Sequence, residues 1–154
     1  MKKLMTLCLV VKKKRVLLAM KKRGLGAEYW NGFGGSVEKG ERIEEAAIRE
    51  VKEESRLIPL KLEKKGFINF HFKGEKKKPQ VHLFLVKDYK GKERETAEMK
   101  PKWFDLDKIP YNKMWPADKI WMPKVLKGEE VYGDVFFKDL KTLVSYKLRE
   151  KVEI

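Results

Sequence analysis

The sequence predicts a single α/β domain, a mixed β-sheet packed between helices, on three observations. Apolar segments of strand length recur in hairpin-spaced pairs. Two stretches, near 43–55 and 115–127, have helical character instead. The chain has 154 residues, enough for one core and short for two, so residues 1–154 are read as one domain.

Leu4 to Val11 reads as a central strand, apolar on both faces. The charges and apolar run after Met1 imitate a short signal peptide. No small-residue cleavage site follows and Lys12 resumes the charge, so the strand reading stands. Lys12-Lys13-Lys14 makes a turn into a second strand, Arg15 to Lys21. Gly24 and Gly26 mark a loop, and Trp30 to Val37 is a short extended piece whose glycines let backbone approach a ligand. A helix is predicted from Ile43 to Ser55, with Ala47, Ile48 and Val51 on its core side and its acids turned outward. Glu44 and Glu45 suit its first turn, although Arg42 offers no side-chain cap. Pro59 requires the helix to stop before it. Leu60 to Lys73 alternates as a long strand, Gly74 to Pro79 is a basic turn, and Val81 to Val86 returns. After a polar loop, Trp103 to Leu106 is a short strand. Trp115-Pro116-Ala117-Asp118 opens the second helix, within which Pro123 kinks the backbone or marks the true first turn. Val131 to Phe137 and Leu143 to Leu148 close as a hairpin.

The net charge of +14 implies attraction to polyanions, nucleotides first, with nucleic acid left open. A Lys-rich surface serving only solubility is the plainer alternative. No apolar run of about 18 residues is present, so no membrane span is expected. The one cysteine, Cys8, forms no internal disulfide and suits a reducing compartment, so a cytoplasmic monomer is expected. His71 and His82 fit no metal-ligand spacing and are read as structural.

The stretch from Gly35 to Leu57 carries the chemistry. Glu50, Glu53 and Glu54 are spaced i, i+3 and i+4, which puts three carboxylates along one side of a helix. They repel one another unless a cation sits among them, and a hard divalent ion bound through oxygen fits that need. A bare Glu-x-x-Glu-Glu is ordinarily a solvated face. Here Gly35, Glu41, Arg49, Glu50, Glu53 and Glu54 together match Gly-x5-Glu-x7-Arg-Glu-U-x-Glu-Glu, with U apolar. At about 6 % per residue type, such a match arises by chance in roughly 1 chain in 10⁵.

This pattern resembles the signature box of the Nudix hydrolases. Lys21-Lys22-Arg23-Gly24, Trp30-Asn31-Gly32-Phe33-Gly34-Gly35, Glu98-Met99 and Met114-Trp115-Pro116 extend the likeness to the oxidised-purine nucleoside triphosphatases of the MutT-homologue branch. The resemblance implies an α/β/α sandwich, the Nudix fold. It implies a magnesium enzyme, with manganese as an alternative, that cleaves purine nucleoside triphosphates such as 8-oxo-dGTP or 2-oxo-dATP to monophosphate and pyrophosphate. The implied metal ligands are Gly34 through its carbonyl, Glu50, Glu53, Glu54 and Glu98. Glu54 is the first choice to activate water, though several ligands could share that role. Arg49 and Glu41 would hold the carboxylates in place. Lys21, Arg23 and the amides of Gly34 and Gly35 would bind phosphates. Asn31 and Asp118 would read the purine edge, Trp115 would stack on it, and Thr6, Phe33, Phe70, Phe72, Met99 and Trp121 would line the pocket.

The chain departs from that branch in five places. Arg42 replaces a common Thr, Arg56 the box glycine, Ser36 a common Lys, Leu25 a Phe, and Ala117 the first of two aspartates that read the base. A site built to hydrogen-bond a base loses discrimination when one partner is missing. Two other readings remain: a Nudix hydrolase of ADP-ribose, a dinucleoside polyphosphate or capped RNA, and a nucleotide-binding module without catalysis.

Overall fold

The computed structural model describes residues 2–150; Met1 and 151–154, assigned above to the same domain, lie outside the described residues. The chain forms strands β1 (Lys2–Lys12), β2 (Arg15–Lys21) and β3 (Trp30–Asn31), helix α1 (Ile43–Ser55), strands β4 (Ile58–Phe72), β5 (Lys78–Lys90) and β6 (Met99–Asp105), helix α2 (Asp118–Leu126) and the hairpin β7 (Val131–Asp139) and β8 (Thr142–Arg149). One mixed eight-stranded sheet runs β3-β2-β1-β5-β4-β7-β8, with β6 on the other side of β2. β1 lies parallel to β5 and β4 parallel to β7; the remaining pairs are antiparallel.

The α/β/α layering follows from strand alternation. One face of the sheet carries Cys8, Val10, Leu17, Phe84 and Val86, which pack under Ala47 and Val51 of α1. The other carries Leu9, Val16, Leu18, Ile68, Leu83 and Leu85, which pack under Trp121, Met122 and Val125 of α2. Strands β4, β5 and β6 run longer than their apolar patterns suggested, because backbone pairing continues through polar ends. Pro123 sits inside α2.

Between β1 and β2 the sheet is wedged open. The two strands pair only at their hairpin end, Val10 to Lys12 against Arg15 to Leu17. The Trp30–Ser36 segment fills the gap. Its start pairs with Ala19 and Met20 of β2, and its later residues bridge to β1 at Cys8–Phe33 and Met5–Ser36.

Helix α1 covers the predicted span, but its faces differ from expectation. Ile48 lies on the outer side beside Glu45, Arg49, Lys52 and Glu53, while Ala46, Ala47, Val51 and Ser55 are buried. At 3.6 residues per turn, Glu50 and Glu54 are three and seven residues past Ala47. They therefore point inward with it, and only Glu53 faces out. At the N-terminus Glu45 accepts the Arg42 backbone N–H at 2.9 Å, which supplies half of a capping box. At the other end Arg56 takes the left-handed conformation, φ 70°, and donates its N–H to Lys52 O at 3.0 Å. The glycine-type stop is retained with a side chain in it. Arg56→Gly should raise stability by about 1 kcal/mol, read as a higher urea midpoint at unchanged m-value.

Candidate active site

The wedge brings the box to the sheet. Gly34 runs so close to β1 that a β-carbon on it would lie 1.8 Å from Thr6 O. One on Gly35 would lie 2.7 Å from Glu50 Oε1. Neither position has room for a side chain. Gly34 N–H donates to Glu54 Oε1 at 2.8 Å, tying the C-terminal turn of α1 to the wedge.

Arg49 sits at the centre of the acids. Its guanidinium bonds Glu41 at 2.8 and 3.0 Å, Glu50 at 2.8 Å and the Ser36 carbonyl at 3.1 Å. Hydrogen bonding to Arg49 holds the Glu41 carboxyl down to about 2. Glu50 is pushed up by burial despite its bond to Arg49. Glu54 has no guanidinium. Burial, opposed by the Gly34 N–H and joined by repulsion from Glu50, pushes it up to about 8. Glu53 is exposed.

These carboxylates suit a hard divalent cation by chemistry. Glu54 is a desolvated carboxyl beside a second one, and Thr6 Oγ1, which shares the cleft with it, is buried without a hydrogen-bond partner among the described residues. Among the described residues no three His, Cys, Asp or Glu side chains close up far enough to hold an ion unaided.

A cleft of about 450 Å³ opens beside Glu54 on the α2 face of the sheet. It gathers Thr6, Lys21, Asn31, Gly34, Gly35, Phe70, Phe72, Met99, Trp115, Asp118 and Trp121 with Glu54. Asp118 is buried. It accepts from Trp121 Nε1 at 3.2 Å, and burial pushes its carboxyl up to about 7. Asn31 donates to Tyr29 O at 3.1 Å. Trp115 stands edge-on to Tyr29, ring centres 5.1 Å apart, and packs over Gly26, where a β-carbon would meet its ring at 2.9 Å.

Three expected residues are placed elsewhere. Phe33 is fully buried in the α1-side core, because its backbone pairs with Cys8 and turns the ring away from the cleft. Arg23 and Glu98 pair with each other at 2.6 Å in an exposed position, brought together by the backbone bond from Lys22 N to Glu98 O. Glu98 therefore does not join Glu50 and Glu54 here. Ala117 is buried in the α2-side core, leaving Asp118 as the carboxylate of this end of the cleft. Met5, Leu7, Ile68, Val81, Leu83, Phe137 and Leu140 also line the cleft and were not singled out from the sequence. Alternation was the available signal: Met5 and Leu7, Ile68 with Phe70 and Phe72, and Val81 with Leu83 each share a face.

A Nudix domain model matches residues 1–125, and the chain belongs to the Nudix family. Within it, the chain is 49% identical over 148 residues to the oxidized purine nucleoside triphosphate hydrolase of Danio rerio, covering 96% of this chain and 95% of that protein. It is 47% identical to the protein of the same name from Mus musculus, again over 96% and 95%. Among solved structures, the MutT protein from Bacillus halodurans superposes with a TM-score of 0.84 at 27% identity, over 97% of this chain and 99% of that one. No helix of the described residues is long and apolar enough to cross a membrane.

Glu54 generates a stability prediction. Its folded pKa lies above the unfolded value of about 4.3, so the fold favours the neutral acid. That contribution is complete below pH 4 and is lost as pH rises through about 8. In magnesium-free buffer with chelator, the protein should be less stable at pH 9 than at pH 6. Glu54→Gln should remove much of that loss, a few kcal/mol at most, measured by urea unfolding at both pH values.

Proposed function

We propose that this chain hydrolyses oxidised purine nucleoside triphosphates to monophosphate and pyrophosphate, and so clears damaged nucleotides from the pool. The observation that carries the reading is one cleft lined both by groups suited to a purine, Trp115, Asn31 and Asp118, and by groups suited to a phosphate chain, Lys21, Gly34 and Glu54. The two curated relatives, similar over nearly the whole chain, carry the matching name.

Trp115 offers a flat apolar wall to a purine. Asn31 presents both donor and acceptor, and Asp118, ionising near pH 7, can donate as the neutral acid and accept in either form. Lys21 brings positive charge to the phosphates, and the bare Gly34–Gly35 backbone lets them approach. Glu50, Glu53 and Glu54 would hold a divalent cation, which would supply charge to neutralise the polyphosphate and would favour the ionised carboxylates. Glu54, once ionised, takes the proton of the attacking water. Arg49 keeps Glu50 and Glu41 oriented and holds Glu41 ionised.

With magnesium, 8-oxo-dGTP or 2-oxo-dATP should be turned over in preference to dGTP and dATP, with pyrophosphate released. Preference for ADP-ribose, a dinucleoside polyphosphate or capped RNA would overturn the reading. Glu54→Gln should lower kcat at least about 100-fold while nucleotide still binds by calorimetry. The KM for the oxidised purine should change across pH 7 in the native protein, and Asp118→Asn should flatten that profile.

A further inference from the structure

The sheet face under α1 is only half covered. Helix α1 lies over Cys8, Val10, Phe84 and Val86. Beyond it, strand register continues the same face across β1, β5, β4, β7 and β8 without a helix over it among the described residues. Its centre is aromatic. Phe67 packs against His82 at 5.4 Å and Tyr132 at 5.2 Å, and His71 stacks on Phe136 at 4.6 Å with planes 14° apart. These rings are partly open to solvent, Phe136 at 40%.

The border is basic. Lys2 lies directly beside Lys78 across the β1–β5 pair, and Lys147 and Arg149 sit opposite Asp134 and Tyr132. None of these four cations makes an ion pair among the described residues. Like charges directly opposite on neighbouring strands destabilise a sheet unless an anion joins them. Asp134 hydrogen-bonds His71 at 2.7 Å, and Glu130 accepts the Tyr132 hydroxyl at 2.7 Å. The acids nearest the rings are thus engaged, while these cations pair with no acid among the described residues.

We propose that this face is a binding platform for single-stranded nucleic acid, separate from the cleft on the opposite face. Partly exposed rings on a sheet offer stacking surfaces to unpaired bases, and flanking lysines and arginine meet the phosphates. A duplex hides its base faces and would gain only the charge. An acidic peptide would make no use of the rings, and a membrane surface would favour a bulkier aliphatic patch.

Fluorescence anisotropy tests this on the full chain with labelled oligonucleotides of about ten nucleotides: single-stranded RNA, single-stranded DNA and duplex DNA. Both or either single strand should bind more tightly than the duplex, and the RNA and DNA arms identify the preferred sugar. Affinity should fall with salt at a log–log slope of about −3 for four phosphate contacts. Phe136→Ala should weaken single-strand binding at least about fivefold, and Lys78→Glu with Lys147→Glu should flatten the salt slope. Triphosphate turnover should be unchanged in both variants, which shows that they are folded. No single-strand binding would overturn the proposal. So would equal binding of duplex with no effect of Phe136→Ala, or binding to anionic vesicles without binding to oligonucleotides.

Discussion

The contact between the Gly34 backbone and the Thr6 carbonyl is the constraint on which the rest depends. Any β-carbon at Gly34 would collide with Thr6 O at 1.8 Å. With none there, the Trp30–Ser36 segment can pair with β1 on one side and β2 on the other. That wedge presents the Gly34 amide to Glu54 and leaves the cleft open beside them. A side chain at this point would displace the segment, lose the tie to α1 and separate the acids from the pocket.

The acids themselves divide into two environments. Glu41 and Glu50 share Arg49, whose guanidinium satisfies their charge within the protein. Glu54 has one backbone N–H and is otherwise desolvated. A buried carboxyl in that state either keeps its proton or takes a cation. The acids are therefore held together by Arg49, and Glu54 stands apart from that network. Burying Glu54 with only the Gly34 N–H and the more distant charge of Lys21 to offset it costs stability once the group ionises.

The sheet separates two chemistries. One face, under α2, is lined by apolar side chains of β1, β4 and β5 and ends at Asp118 and Trp121. The other holds α1 over half its width and an aromatic and basic surface over the remainder. Strand alternation sends neighbouring residues of one strand to these different places. Phe70 and Phe72 face the cleft, whereas His71 between them stacks on Phe136 and bonds Asp134. The histidines, read from the sequence as merely structural, lie on the second surface.

Local pattern alone was enough for the α/β class, the Ile43–Ser55 helix, the Arg15–Lys21 strand and the acid spacing, because each is a matter of short-range periodicity and turn chemistry. The strained stop at Arg56 was legible for the same reason: Pro59 ends the helix whatever residue precedes it. Periodicity says which residues share a side, but not what lies on that side. The acids of α1 were therefore expected outward, whereas packing turned Glu50 and Glu54 inward beside Ala47. The same limit hid the burial of Phe33, the pairing of Arg23 with Glu98 and the contribution of Leu140 from the closing hairpin. Each depends on which distant backbone comes to lie alongside, and only the assembled sheet decides that.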